Sequence, residues 1–523
     1  MNKPGWIDQV NQQVFLILLA GFLLRSIIAF WLPPGFDEAY YYIYTQHLDW
    51  SYFDHPPLVA LTTGLGVWLT GIVSQFSIRI GSLLTYTATL YFLYRAALHL
   101  FSVKTAVLTL AIASTIPIFH ICFGTLTLPD SPLMFFWALT LWVAACEFFP
   151  SNLSPYRPTS RLAWIGLLVG CACLGKYHGF LLGFGLISFC LTSRQHRSAL
   201  TSPWTLVSVA LFAIAFSPVL YWNAQHDWVS FRFQGNRGVP NRGYDGLSAA
   251  LTGLVAAAYM FPTLGLPLWW VSLKASFTTF RSRFPSTPQT LVLWLSVPTF
   301  VIFTIIGGYQ QVLPSWTMPG FFAATPILAR SVLRWNAKSL RRWLGGSAIV
   351  IVTLLMIALL HVSAGIFQKP SSNAILGGLV PPQEDASIQL IDVQQLRREF
   401  AQSPELMEAL RNAGFVFSNR FHLAGHFSMA LTPIASAPVT CFEPDLRGFA
   451  FWSTAEQWVG QDGLYVTTDE FQSKVNSAAE FAPYFKSFKK LAELPLRRGG
   501  VVIDKIHVFQ GKTLLKPYPR PKL

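Results

Sequence analysis

The residues best equipped for chemistry lie together near the N-terminus. The stretch 35–57, GFDEAYYYIYTQHLDWSYFDHPP, carries four acids (Asp37, Glu38, Asp49, Asp54), two histidines (His47, His55) and no Lys or Arg. It sits between long apolar runs. A segment that only joined two membrane helices would not need six acid/base groups beside a bilayer, so this one reads as an active-site loop. Asp37 and Glu38 follow Pro33-Pro34-Gly35, which ends the preceding helix and sets a turn. A carboxylate near a low-dielectric surface holds a proton more firmly, which suits a general base. The plainer role for Asp37 is to cap a helix starting near Ala39. In Asp54-His55-Pro56-Pro57 the prolines keep the backbone extended and orient the side chains before them; the plainer role there is a rigid turn.

Further polar groups recur at apolar boundaries. Asp130 opens an apolar run in TLTLPDSP, where an ordinary helix cap is the competing role. Lys176, in LGKYHG, lies between two apolar runs; a lysine at that depth is either functional or snorkels to the interface. Arg25, inside the first apolar run, poses the same choice. His226 and Arg232 share a loop with Trp222, Trp228, Phe231 and Phe233. An interfacial aromatic belt explains the rings but does not call for the His and Arg. Asp54 and His226 are candidate ligands of a divalent metal ion, though two ligands from distant loops make an incomplete set.

The elements that must position these groups are membrane helices. Of 523 residues, 52% are hydrophobic and only 12% charged, against roughly 25% charged in a soluble domain. Apolar runs of spanning length predict a mainly α, polytopic membrane protein with about eleven transmembrane helices. The expected spans are 12–32, 76–97, 104–122, 132–149, 162–175, 179–192, 204–222, 248–272, 289–308, 316–330 and 346–366. The first carries no small-residue cleavage site and reads as a retained helix. With a cytoplasmic N-terminus, the inner segments hold fifteen basic residues (Lys3, Arg95, Lys104, Arg157, Arg161, Arg194, Arg197, Lys274, Arg281, Arg283, Arg330, Arg334, Lys338, Arg341, Arg342). The outer ones hold five (Arg79, Lys176, Arg232, Arg237, Arg242). This asymmetry fits the positive-inside rule. It places the candidate site residues on the outer face, with a first outer loop at about 33–75.

The net charge of +14 edges the apolar runs instead of lining one soluble face, which argues against nucleic acid as a partner. Five of the six cysteines lie in or beside apolar runs, and no disulfide framework is visible. The composition shifts near residue 368. Residues 1–367 are expected to form the transmembrane catalytic part and 368–523 a small soluble α/β domain outside, in the periplasm of a bacterium. Within it, 391–413 has helical periodicity, and 414–418, 463–467 and 500–509 read as strands. It carries no dinucleotide fingerprint.

The acidic pair after the first helix, the Asp-His-Pro-Pro element and the outer Pro-Asp before the fourth span resemble the GT-C membrane glycosyltransferases. More narrowly they resemble the branch of protein O-mannosyltransferases and lipid A aminoarabinose transferases. FDEAYYYIYTQHLDWSYFDHPPLVA carries most of the likeness; TLTLPDSPLMFFW, LGKYHG and LPSWTMPG support it across residues 10–366. The resemblance implies a polyprenyl-phosphate-linked sugar donor and transfer with inversion to a hydroxyl of a lipid, glycan or protein acceptor. It implies Asp37 as the main catalytic carboxylate, with Glu38 beside it and Asp130 facing the same cavity. His55, Lys176, His226 and Arg232 are implied around the donor phosphate. His55 stands where the aminoarabinose transferases have Lys, and the acid at position 54 is a metal or phosphate-site residue in some relatives. The prenyl tail would occupy a lipid-facing groove between helices, so no nucleotide cofactor is required. The competing functions are a transporter or flippase of a lipid-linked saccharide, for which internal repeats and midplane polar residues are missing, and a non-catalytic outer-face scaffold.

Overall fold

The structure, a computed structural model, describes residues 6–150, 155–240, 242–281, 287–474 and 478–520. Lys3 and Arg283 of the inner basic set fall outside these residues. The chain divides into two compact units. The first comprises Met1–Ile27, His55–Val59 and Ser82–Leu355; the second comprises Ile28–Asp54, Ala60–Gly81 and Met356–Leu523. The second unit therefore takes most of the expected first outer loop together with the C-terminal residues.

The protein is mainly helical, with a small C-terminal sheet. The helices are α1 (Trp6–Trp31), α2 (Phe36–Tyr44), α3 (Leu58–Thr70), α4 (Ile80–Leu100), α5 (Val103–Ala113), α6 (Asp130–Phe148), α7 (Arg161–Gly175) and α8 (Gly179–Thr192). They continue as α9 (Pro203–Gln225), α10 (Val229–Asn236), α11 (Gly246–Tyr259), α12 (Pro262–Phe280), α13 (Pro288–Trp294), α14 (Val297–Ile306), α15 (Pro314–Val332) and α16 (Ala337–Ala364). Among the described residues, five helical stretches are long and apolar enough to cross a membrane: Asp8–Trp31, Asp130–Phe148, Pro203–Gln225, Pro288–Ile306 and Ala337–Ala364.

Several expected spans are broken. The run 248–272 is two helices, because Phe261 adopts φ +71° immediately before Pro262 and proline cannot continue the preceding ladder. The run 104–122 stops as α5 at Ala113, before Pro117, and resumes as a single π turn at Phe119–Phe123. The core of the first unit is apolar, built around Trp137, Phe119, Phe123, Phe300 and Phe322.

In the second unit α17 (Val393–Gln402), α18 (Pro404–Asn412) and α19 (Phe421–Leu431) accompany a five-stranded sheet of order β2-β1-β3-β5-β4. The strands are β1 (Phe415–Ser418), β2 (Val439–Cys441), β3 (Gly463–Thr468), β4 (Phe485–Arg498) and β5 (Val501–Leu514). β1 runs parallel to both neighbours, Val416 lying opposite Val439 and Leu464. A central parallel strand is buried on both faces, which is why it reads as the apolar run FVFS. β4 and β5 form a hairpin through Gly499 and Gly500, both at positive φ, the backbone that a two-residue turn of matching twist requires. The single helical stretch expected at 391–413 is two helices, since Ser403 caps α18 ahead of Pro404.

Candidate active site

In the second unit, the turn Pro33-Pro34-Gly35 delivers the chain into α2, with Asp37 and Glu38 in its first turn. The two acids have opposite surroundings. Glu38 is 1% exposed; its Oε2 reaches back to accept the Gly35 N–H at 2.9 Å, satisfying the backbone donor of the cap residue. The same carboxylate takes two bonds from Arg79, Nε to Oε1 at 2.7 Å and Nη2 to Oε2 at 2.5 Å. Arg79 also donates to the carbonyls of Ala29, Leu32 and Pro33 at 3.0, 2.6 and 3.1 Å. One buried guanidinium thus ties the end of α1 to the start of α2. Asp37 is exposed. The helix starts at Phe36 and Gly35 is its cap residue, so capping falls to Glu38 and not to Asp37.

α19 packs on the other side of α2. Gly425 permits the approach: a Cβ there would lie 2.5 Å from the Ala39 carbonyl carbon. His426, on the same helix, bonds the Pro34 carbonyl at 3.0 Å. Asp54, 1% exposed, closes the loop. Its Oδ1 accepts the Tyr44 hydroxyl and, at 3.3 Å, the Tyr40 hydroxyl; its Oδ2 accepts from Arg447 at 3.3 Å. Burial, and then the Asp54 charge, push both phenols well above their ordinary range, so they stay protonated donors. The Tyr40 oxygen in turn accepts the Gly448 N–H at 2.8 Å.

In the first unit, Asp130 is the first residue of α6 and Lys176 follows the last residue of α7. The Lys176 ammonium meets both carboxylate oxygens, at 2.9 and 2.8 Å, with 7% and 3% of the two residues exposed. Gly175 makes this possible: a Cβ there would lie 2.6 Å from the Leu133 nitrogen, so no other residue lets the end of α7 meet the start of α6. His178 is stacked on Phe303 at 4.7 Å; burial first, and then Lys176 and His55 beside it, push its imidazole well below the ordinary histidine range. His226 ends α9, its ring 4.1 Å from that of Trp222 and its Nδ1 donating to the Trp222 carbonyl at 2.7 Å. Asp227 and Trp228 then take left-handed backbone, φ +51° and +57°, which turns the chain sharply into α10. Arg232 is exposed on α10.

The structure therefore brings Glu38 to Arg79, Asp54 to two tyrosines and Arg447, and Asp130 to Lys176, with His55 near His178. Asp54 and His226 fall in different units. Among the described residues, no group of three or more His, Cys, Asp or Glu side chains is placed to hold a metal ion. Arg79, Arg447 and His178 are the members that the sequence did not single out for roles. Arg79 carried a signal as one of five basic residues on the outer side; Arg447 carried none.

Comparison with known proteins bears on what this arrangement belongs to. Residues 54–222 match the family model described as dolichyl-phosphate-mannose-protein mannosyltransferase. The lipid A galacturonosyltransferase RgtD of Rhizobium johnstonii is 27% identical over 317 residues, a match spanning 59% of this chain and 63% of that protein. The fold is similar to ArnT of Cupriavidus metallidurans. The apo structure superposes with a TM-score of 0.61 at 14% identity, covering 95% of this chain and 98% of that one. The structure bound to undecaprenyl phosphate superposes with a TM-score of 0.57 at 12% identity, covering 95% and 97%. Together these matches support a glycosyltransferase similar to those of the GT-C class.

Proposed function

We propose that this chain is an inverting glycosyltransferase that moves a sugar from a polyprenyl-phosphate donor to an acceptor hydroxyl at the outer face of a bacterial inner membrane. The observation that carries the reading is the division of labour within the acidic pair: Glu38 is committed to Arg79, and the adjacent Asp37 carboxylate is exposed on the same rigid turn. The undecaprenyl phosphate bound by the ArnT relative supports the donor class.

The acids and the cations have separate jobs. The acceptor oxygen attacks the anomeric carbon while the bond to the donor phosphate breaks, through an oxocarbenium-like transition state. Asp37 takes the acceptor proton as general base. The leaving phosphate departs as an anion and needs no acid, because Lys176 and His55, with His226 and Arg232, supply positive charge and hydrogen bonds. Asp130 holds the Lys176 ammonium and sets its position. A divalent ion does not fit the residues as placed: Asp54 already accepts from Tyr44, Tyr40 and Arg447, and no step here runs through a metal.

The topology belongs to the same proposal. About eleven membrane passages, made from the five long apolar stretches and shorter apolar helices such as α7, α8 and α11, leave the N-terminus in the cytoplasm. They place residues 368–523 outside as a soluble domain, with 1–367 as the catalytic membrane part.

The test is transfer by purified protein in lipid, offered a panel of polyprenyl-phosphate sugars, with release of the free carrier phosphate followed for wild type and Asp37→Asn. Release by the wild type alone supports the reading. A protein that moves the carrier across the bilayer without forming a glycosidic bond is a transporter, and the reading fails.

A further inference from the structure

Within the first unit, a cavity of about 630 Å³ lies between α12 and α15. It is remote from the Asp130–Lys176 pair. Trp316, in the first turn of α15, has its ring 6.1 Å from that of His178. Arg330, in the last turn of the same helix, lines the cavity, about 20 Å further along at 1.5 Å per residue. Lys274, Arg330 and Arg334 share the wall with Trp270 and Trp335, and no carboxylate lines it. Residues 246–383 contain no Asp or Glu, so the local chain supplies no counter-ion.

The central cation is held in place with most of its donors unspent. Arg330 Nη1 donates to Gln289 Oε1 at 3.3 Å, and the guanidinium lies over the Phe101 ring at 5.5 Å. Gln289 Nε2 donates in turn to Thr279 Oγ1 at 2.9 Å, which ties α12, α13 and α15 together around Arg330. A guanidinium has five N–H donors, so this arrangement leaves the greater part for a ligand. The Lys274 ammonium and the Arg334 guanidinium are exposed, with no ion-pair or hydrogen-bond partner among the described residues. A second cavity, of about 620 Å³, shares Gln289 and Arg330 and is lined by the hydroxyls of Ser102, Thr105, Thr279 and Thr287. Arg330 therefore stands between a cationic recess and a hydroxyl-lined one. Beside them, Leu266, Trp270, Leu273 and Phe277 are exposed and recur at helical spacing on one face of α12. Leu266 and Trp270 line the cavity, and the other two continue the stripe past it. An anion carrying long apolar chains satisfies both surfaces. A soluble phosphate satisfies the cations alone. The indoles at the cavity suit the boundary between lipid and water.

We propose that this cavity binds the phosphate of an anionic diacyl phospholipid, with its acyl chains along the exposed face of α12, at the end of α15 opposite the candidate active site. The proposal goes beyond the transferase reading and stands whether or not transfer is observed. The test uses the full chain, delipidated in detergent, with bound lipid counted by native mass spectrometry. The probes are phosphatidylglycerol, phosphatidylcholine of the same acyl chains, and glycerol 3-phosphate. Phosphatidylglycerol is expected to bind at least about tenfold more tightly than phosphatidylcholine, on the scale of two or more cations facing one lipid phosphate. Glycerol 3-phosphate at the same concentration should not compete with it. Lys274→Glu combined with Arg334→Glu is expected to weaken phosphatidylglycerol at least about tenfold, leaving phosphatidylcholine binding and the melting temperature of the lipid-free protein unchanged. Arg330→Gln, which keeps an amide beside Gln289, should weaken it about fivefold. An equimolar amount of undecaprenyl phosphate should leave the bound phosphatidylglycerol in place. Equal affinity for the two diacyl lipids, phosphatidylglycerol binding that survives both sets of substitutions, or full competition by glycerol 3-phosphate overturns the proposal. Displacement by undecaprenyl phosphate overturns it too, since the cavity would then belong to the carrier lipid.

Discussion

Arg79 holds Glu38 by both carboxylate oxygens, at 2.7 and 2.5 Å, with the two residues 0% and 1% exposed. A pair so deeply buried is costly to form and more costly to break, because either partner left alone is an uncompensated charge. Arg79→Ala is therefore expected to lose about 3–5 kcal/mol of stability. Arg79→Met combined with Glu38→Gln should recover much of it. Thermal unfolding in detergent of the two variants beside wild type checks this. Equal losses in both would mean that the bonds from Arg79 to the three carbonyls, and not the ion pair, hold the turn.

Asp37 carries a different expectation. Its neighbour does the structural work, so Asp37→Asn should fold normally and bind donor. Transfer should fall by roughly 10²- to 10⁴-fold, the usual contribution of a general base. Glu38→Gln should cost stability first. A reversed order of effects, with Glu38→Gln inactive and stable, would assign the base to Glu38.

The positions of these acids were legible in the sequence because proline, glycine and acid residues in a row determine local geometry by themselves. Their division of labour was not, since it depends on Arg79, 41 residues away and equally consistent with an interfacial charge. The same limit explains the other differences. Phe261 breaks α11 from α12 inside a continuous apolar run, where hydropathy has no signal and only Pro262 hints at a boundary. β4, FKSFKKLAELPLRR, is too charged to read as a strand; it lies at the sheet edge, where Lys and Pro are tolerated and discourage further pairing. β1 and β3 were legible because they are buried and apolar.

The Lys176–Asp130 pair separates binding from structure. Lys176→Met leaves the Asp130 carboxylate buried without its cation and should destabilise by several kcal/mol. Adding Asp130→Asn should restore the melting temperature but not transfer, because the charge facing the leaving phosphate is still missing. Recovery of both by the double variant would make the pair purely structural.

Gly425 tests the support of α2 from the C-terminal side. A Cβ there would stand 2.5 Å from the Ala39 carbonyl carbon and 2.7 Å from the Tyr40 nitrogen, backbone atoms that cannot yield independently. Gly425→Ala should shift α2 by a fraction of an ångström and cost transfer on the order of 100-fold if the reacting geometry is strict. Gly346→Ala on α16, where an added Cβ meets nothing, is the control and should be neutral or slightly stabilising. Transfer by the Gly425 variant equal to the control would show that α2 tolerates movement.

Glu443 gives the second unit a pH dependence. It is 3% exposed, accepts the Phe421 N–H at the start of α19 and pairs with Arg420 at 3.2 Å. Burial pushes its carboxyl up to about 7 despite these partners. An acid whose folded-state value lies above the unfolded one binds its proton more tightly when folded. Between about pH 4.5 and 7 the unfolded chain releases that proton first, so this group lowers stability as pH rises through the window, by roughly 3 kcal/mol in all. Above about 7 its effect is constant. Glu443→Gln cannot ionise, keeps the acceptor oxygen for Phe421, and should flatten the slope. Melting temperatures of wild type and variant measured from pH 4.5 to 8 decide it: the two curves should converge at the acid end and separate towards neutrality, the variant lying higher. Parallel curves across the whole range would place the proton elsewhere.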